Sequence, residues 1–141
     1  REPIAVRRVI GERAAREMRL ALEQVVSGKG GTGRRAIVPG HRVGGKTGTA
    51  WIFDTERKEY DKSRYNVSFA GMVPVQAPKF VCVVAIEDPS FEDPDFSIGG
   101  GSVAAPVFKR VTQRVVDFLN IQPTEPIGIQ ARDIAITTPS N

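Results

Sequence analysis

The sequence predicts an α+β fold, an antiparallel sheet of three strands flanked by helices, and three observations predict it. Two stretches, near residues 11–27 and 102–119, repeat apolar side chains at the helical period. Three runs between them, Val43 to Phe53, Tyr65 to Val73 and Phe80 to Ile86, carry strand-forming residues. The connections between those runs are short, which makes an antiparallel meander and leaves no room for parallel crossovers. At 141 residues, 40% hydrophobic and 26% charged, the chain is one domain's worth and its composition is that of a folded protein.

Ile4 to Ile10 alternates weakly and reads as a short extended approach. From Gly11 the period changes, placing Ala15, Met18, Leu22, Val25 and Val26 on one face and Glu12, Arg13, Arg16, Glu17, Arg19 and Glu23 elsewhere. That predicts an amphipathic helix of about four turns, stopped at Ser27-Gly28. Gly28 to Gly33 offers N–H groups to an anion but reads first as a flexible connector. Between the first two strands, the charged segment Asp54 to Arg64 suits a solvent-exposed hairpin connection. Pro74 to Pro78 makes the next turn, and Phe80 to Ile86, apolar throughout, predicts a strand covered on both faces. Asp88 to Asp95 lacks the alternating oxygen ligands and central glycine of a calcium loop and reads as a solvated loop. Ser102 is the expected N-cap of a helix whose apolar face is Ala104, Val107, Phe108, Val111, Val115, Phe118 and Leu119. Pro106 is tolerated there because it lies in the first turn. Residues 1–120 form the expected domain part, and 121–141, without helical period, an extended tail.

The net charge is +4, with the basic residues scattered and interleaved with acids. A nucleic-acid reader gathers its cations on one face among aromatics, and no such stripe is present, so nucleic acid is not an expected partner. Cys82 is the one cysteine, which excludes an intramolecular disulfide and a cysteine-built zinc site and predicts a buried, inert thiol. The longest apolar stretch is about seven residues, far below the ~20 that cross a bilayer. No cofactor and no metal is expected.

The chemistry concentrates on Lys46-Thr47-Gly48-Thr49-Ala50, which Trp51-Ile52-Phe53 marks as strand. Strand alternation sends Lys46 and Gly48 to one side and the hydroxyls of Thr47 and Thr49 to the other. Paired hydroxyl donors beside a fixed cation suit a carboxylate. Gly48, in a β-branched strand, implies that something approaches the backbone too closely to admit a Cβ. A plain edge strand with polar residues explains the same letters. Gly40 to Thr47 also satisfies the phosphate-loop pattern G-x-x-x-x-G-K-[ST], with Val83 to Asp88 as a magnesium-strand candidate. A phosphate loop requires a helix to begin at the Lys-Thr, and the residues that follow are strand formers.

In order along the chain stand Gly31-Thr32-Gly33, Val38-Pro39-Gly40, Gly45 to Ala50, Ser68-Phe69-Ala70-Gly71, the apolar strand, Gly99-Gly100, and Ala104-Ala105-Pro106-Val107-Phe108. This order and spacing, over Val6 to Ile121, resembles the C-terminal part of the transpeptidase domain of class B penicillin-binding proteins, the peptidoglycan D,D-transpeptidases. The resemblance implies the penicillin-binding/serine β-lactamase-like fold, here incomplete. It implies that Lys46 belongs to the Lys-Thr-Gly motif, keeping the site positive and bonding a serine of the second motif. It further implies that Thr47 and Thr49 bind the carboxylate of a stem peptide or β-lactam, that the Thr49 N–H is an oxyanion donor, and that Gly48 leaves room for the acyl group. Lys46 and Thr49 are thus the expected catalytic residues, and Thr47, Gly48 and Thr49 the expected substrate-binding ones.

Neither Ser-x-x-Lys nor Ser-x-Asn occurs in the chain, and acyl transfer needs an activated serine as well as an oxyanion hole. The chain opens at Arg1 and is expected to be the C-terminal portion of a longer polypeptide, inactive alone, whose remainder carries both serine motifs. Its apolar surface should then be one that only that remainder covers. The resemblance implies peptidoglycan stem peptides and β-lactam antibiotics as ligands, divisome or elongation proteins as partners, and an extracytoplasmic domain on a single inner-membrane anchor outside this chain. The Ala-Ala-Pro-Val-Phe helix and proline-containing tail favour septal over side-wall synthesis. A serine β-lactamase, a β-lactam sensor domain and a non-catalytic scaffold share the Lys-Thr-Gly strand and remain alternatives.

Overall fold

Five regular elements follow one another in the computed structural model: α1 (Glu12–Ser27), β1 (Gly44–Asp54), β2 (Glu59–Val73), β3 (Phe80–Glu87) and α2 (Ala105–Phe118). A 3₁₀ turn at Arg34–Ala36 and a π-type turn at Gly100–Ala104 complete them. The structure describes residue 4, residues 6–93 and residues 95–125. The strands form one antiparallel sheet in the order β1-β2-β3, so the α+β architecture is the one the sequence predicts.

Register determines what each strand residue faces. Thr47, Phe69 and Val84 stand opposite one another, as do Thr49, Val67 and Ile86, and opposed residues share a face. This face is the covered one. Phe108 of α2 lies with its ring centroid 4.8 Å from that of Phe69, and both are fully buried. Gly71 is required here, because a Cβ on it would sit 2.6 Å from Cζ of Phe108. Val26, Val38, Val73, Ala104, Ala105 and Val116 close the same core.

The opposite face carries Lys46, Ala70 and Val83 in one row and Gly44, Met72 and Val81 in the next. Val81 and Val83 are each 66% exposed. The expectation that Phe80 to Ile86 is covered on both sides is therefore corrected: β3 alternates half-buried and exposed, because the described elements place no helix over that half of its surface.

Helix α1 forms where its period predicts, but its burial differs. Met18 and Leu20 are exposed, while Glu23, expected among the solvent-facing charges, is buried. Glu23 lies three residues before buried Val26, on the face that meets the start of β1. It forms a bidentate ion pair with Arg42, Nε to Oε1 and Nη2 to Oε2 each 2.5 Å. The Glu23 hydrogen bonds hold the Arg42 guanidinium above its ordinary pKa. The pair ties α1 to the residues that lead into β1.

Gly28 to Gly33 is a tight turn rather than a flexible connector. Gly31 N–H donates to Gly28 O at 3.0 Å and Gly33 N–H to Val25 O at 2.8 Å, and a Cβ on Gly33 would sit 2.9 Å from Phe69 Cε2. The charged segment Asp54 to Arg64 is likewise mostly strand. Asp54 Oδ1 accepts from the N–H groups of Glu56 and Arg57 at 2.9 and 3.0 Å, closing a turn after which β2 starts at Glu59 instead of Tyr65. Pairing with β3 ends at Asn66, so this ribbon runs beyond the sheet, and polar strands suit its solvation.

Ser102 is not an N-cap. Its hydroxyl donates to the carbonyls of Ser97 and Gly99, and the π-type turn carries the chain into α2. The inner face of α2 is Ala105, Phe108, Thr112 and Val116, while Val107, Val111 and Phe118 are exposed. Cys82 is half-buried, packed against the core, and burial pushes its thiol pKa up. Thr124 and Glu125 donate backbone N–H groups to Gly40 O at 2.8 and 3.1 Å. The rest of the expected tail, 126–141, lies outside the described residues. Among the described residues no helix is long and apolar enough to cross a membrane.

Candidate functional site

Residues 46–49 lie inside β1, which begins at Gly44. No helix starts at Lys46, so the phosphate-loop reading fails on its mechanism: there are no free helical N–H groups to receive a phosphate. The strand instead divides the chemistry between two faces. Lys46 and Gly48 point to the open face; Thr47 and Thr49 share the face of Phe69 and Val67.

Lys46 is exposed, and its Nζ donates to the Thr47 carbonyl at 2.8 Å. Among the described residues no carboxylate comes within ion-pair distance of it. Thr47 Oγ1 lies 2.9 Å from Thr32 Oγ1, which joins β1 to the glycine turn after α1. Thr49 Oγ1 accepts the Gly100 N–H at 3.2 Å, which joins β1 to the turn before α2. Both hydroxyls are thereby oriented by segments distant in sequence, and both retain lone-pair or donor capacity.

Gly48 answers its own question in part. A Cβ there would collide with the Ser68 hydroxyl across the strand pair. Gly100 is closer still to the sheet backbone, since a Cβ on it would sit 2.7 Å from Gly48 O and 2.9 Å from Gly48 N. Two glycines therefore bring a backbone N–H down onto β1 beside Thr49.

The hydroxyl side of β1 opens into a depression of about 550 Å³ lined by Thr32, Arg34, Arg35, Thr47, Thr49 and the stretch Ser97 to Ser102. It contains two guanidiniums and no acid. Sequence reasoning missed Thr32, the two arginines and Gly100 as neighbours of Thr47 and Thr49. Their signal was present as glycine-flanked motifs, Gly-Thr-Gly followed by Arg-Arg and a glycine triplet before a small-residue helix start, but only the tertiary approach brings them to one strand. The residues offer a carboxylate both hydroxyl donors and positive charge, and nothing here groups three metal-ligating side chains among the described residues.

Comparison with known proteins agrees in kind. Residues 1–113 match the family described as the penicillin binding protein transpeptidase domain. The chain is 39% identical over 121 residues to stage V sporulation protein D of Bacillus subtilis strain 168, covering 86% of this chain and 18% of that protein. It is 35% identical over 102 residues to peptidoglycan D,D-transpeptidase FtsI of Buchnera aphidicola subsp. Baizongia pistaciae, covering 72% and 16%. The chain thus spans about a fifth or less of these relatives' length. Among solved structures, the apo transpeptidase domain of Burkholderia pseudomallei penicillin-binding protein 3 superposes with a TM-score of 0.72 at 40% identity, covering 85% of this chain and 34% of that one. Penicillin-binding protein 3 of Mycobacterium tuberculosis, complexed with ampicillin, superposes with a TM-score of 0.70 at 25% identity, covering 88% and 28%.

Proposed function

This chain belongs to the penicillin-binding protein transpeptidase family, and from that premise we propose that it is one wall of a peptidoglycan D,D-transpeptidase whose nucleophile lies elsewhere in the same domain. The observation that carries the reading is β1 itself: a cation on the open face, two hydroxyls oriented by separate segments on the other, and a glycine between them.

Catalysis is a two-step acyl transfer. A serine outside this chain attacks the carbonyl of the penultimate D-alanine of a stem peptide; the C–N bond to the terminal D-alanine breaks, and the serine's proton leaves on that amine. An amine from a second stem then attacks the ester, the C–O bond to serine breaks, and the amine's proton returns to the serine oxygen. Lys46 faces the side from which the serine approaches, where its charge favours the alkoxide. The hydroxyls of Thr47 and Thr49 hold the terminal carboxylate. β1 has no partner on its outer edge among the described residues, and in a strand residues two apart present their backbone groups to the same edge. Thr47 O, taken by Lys46 Nζ, marks that edge, and the Thr49 N–H belongs to it as an oxyanion donor. A β-lactam enters the first step and stalls there.

The exposed side chains of Val81, Val83 and Ala70, on one face of the sheet, support the same reading, since an apolar sheet face of this kind suits a seat for the rest of the domain. Septal synthesis, an extracytoplasmic location on a membrane anchor outside this chain, and divisome partners follow as part of the proposal, as does the division into a domain part, 1–120, and a tail. The test is acylation of the complete enzyme by a fluorescent penicillin. Lys46→Ala lowers the acylation rate on the order of 10²-fold. Thr49→Ala, whose N–H remains, chiefly weakens carboxylate binding. Parental rates in both variants would overturn the reading.

A further inference from the structure

Arg34 and Arg35 sit on the 3₁₀ turn between α1 and β1, side by side on the depression that Thr47 and Thr49 line. The turn is anchored: Ala36 and Val38 are buried, and Ala36 N–H donates to Gly33 O at 2.8 Å. Each guanidinium makes one long hydrogen bond to a carbonyl, Arg34 Nη1 to Lys29 O and Arg35 Nη1 to Ser102 O, both 3.3 Å. A guanidinium has five N–H donors, so most of theirs stay available. Among the described residues neither Arg34 nor Arg35 reaches a carboxylate, and what sets the pair apart is that both line one depression. Two cations without counter-ions thus face a basin that has no acid in its lining.

Lys46 does not share this basin, because it points to the other face. The threonine hydroxyls account for one carboxylate, and about 550 Å³ exceeds what one carboxylate occupies many times over. We propose, resting on the transpeptidase reading, that Arg34 and Arg35 are specificity-determining residues that bind a second free carboxylate, on a side chain of the peptide substrate. Planar forks suit bidentate capture of a carboxylate, and the Arg35 bridge to Ser102 O fixes that fork across the basin. The substrate class selected is a di-anionic stem peptide over one whose side-chain carboxyl is amidated.

The test compares two acyl-donor peptides, identical except that the side-chain carboxyl is free in one and amidated in the other, on the complete enzyme. The parent prefers the free acid in kcat/KM by on the order of 10-fold, the scale of a hydrogen bond to a charged group. Arg34→Gln/Arg35→Gln loses that preference through KM for the free acid, and Arg34→Lys/Arg35→Lys keeps part of it. Because both arginines are exposed, the parental preference shrinks as salt rises. A parent without preference, or a glutamine variant that retains it, overturns the inference. A parent that no penicillin acylates overturns the transpeptidase reading instead, so the two failures are distinguishable.

Discussion

One residue apart on the same strands, the sheet has two different surfaces. Val67, Phe69 and Val73 are closed beneath α2 and the turns around it, while Ala70, Val81 and Val83 are exposed on the other face, which α1 meets at Gly44, where β1 begins. Both are apolar. The difference teaches that an apolar composition does not by itself bury both faces of a strand: among the described residues one face is packed and the other is exposed. β3 is apolar on both faces, yet its residues alternate between half-buried and exposed.

The comparison breaks first if the covered face is not the core. Phe108→Ala removes a fully buried ring that packs on Phe69 and against Gly71, and the domain should lose about 3–5 kcal/mol. Denaturant unfolding of the complete domain measures this. A loss below about 1 kcal/mol would mean that α2 merely lies on the sheet.

A substitution on the other face sharpens it, because its sign depends on context. Val83→Lys in the chain alone replaces an exposed apolar side chain, should change stability by less than about 0.5 kcal/mol, and should raise soluble yield. Where the rest of the domain seats on this face, as proposed, the same ammonium lacks a partner in a covered layer and should cost about 2–3 kcal/mol. Equal tolerance in both settings would mean that the open face is a true outer surface.

How much of this was legible in the sequence follows the same division. Both helices, all three strands and the placement of Lys46 and Thr47 on opposite faces could be read, because helical period and strand alternation are local. The hairpin strands at Asp54 and Glu59 were missed because a ribbon that projects into solvent carries no apolar alternation. Glu23 was misplaced because acids are ordinarily solvated; its position three residues before Val26 was the available sign, and Arg42, the partner that makes its burial tolerable, is remote in sequence. Thr112 could have been placed inward by its spacing from Phe108 and Val116, had its hydroxyl not argued for the outside. The neighbours of Thr47 and Thr49 needed the fold, since Thr32 and Gly100 reach β1 from turns on either side of the sheet in sequence, one after α1 and one before α2.

The smallest effect concerns the rim of the covered layer, where His41 is 8% exposed and its Nδ1 has no hydrogen-bond partner among the described residues. Burial pushes its pKa below the ordinary 6.5, and the Asp117 carboxylate opposes that only in part. As pH falls through 6.5 the unfolded chain takes up the proton first, so stability is full above that value and declines toward the folded-state pKa. His41 is the chain's one histidine, and no other ordinary side chain titrates between pH 5 and 8. The expected outcome is a Tm that declines from pH 7.5 to 5.5 more steeply in the parent than in His41→Phe, by a margin smaller than either core effect. Superimposable slopes, or a parent that gains stability as pH falls, would place His41 in water and move the edge of the covered face inward to Val38.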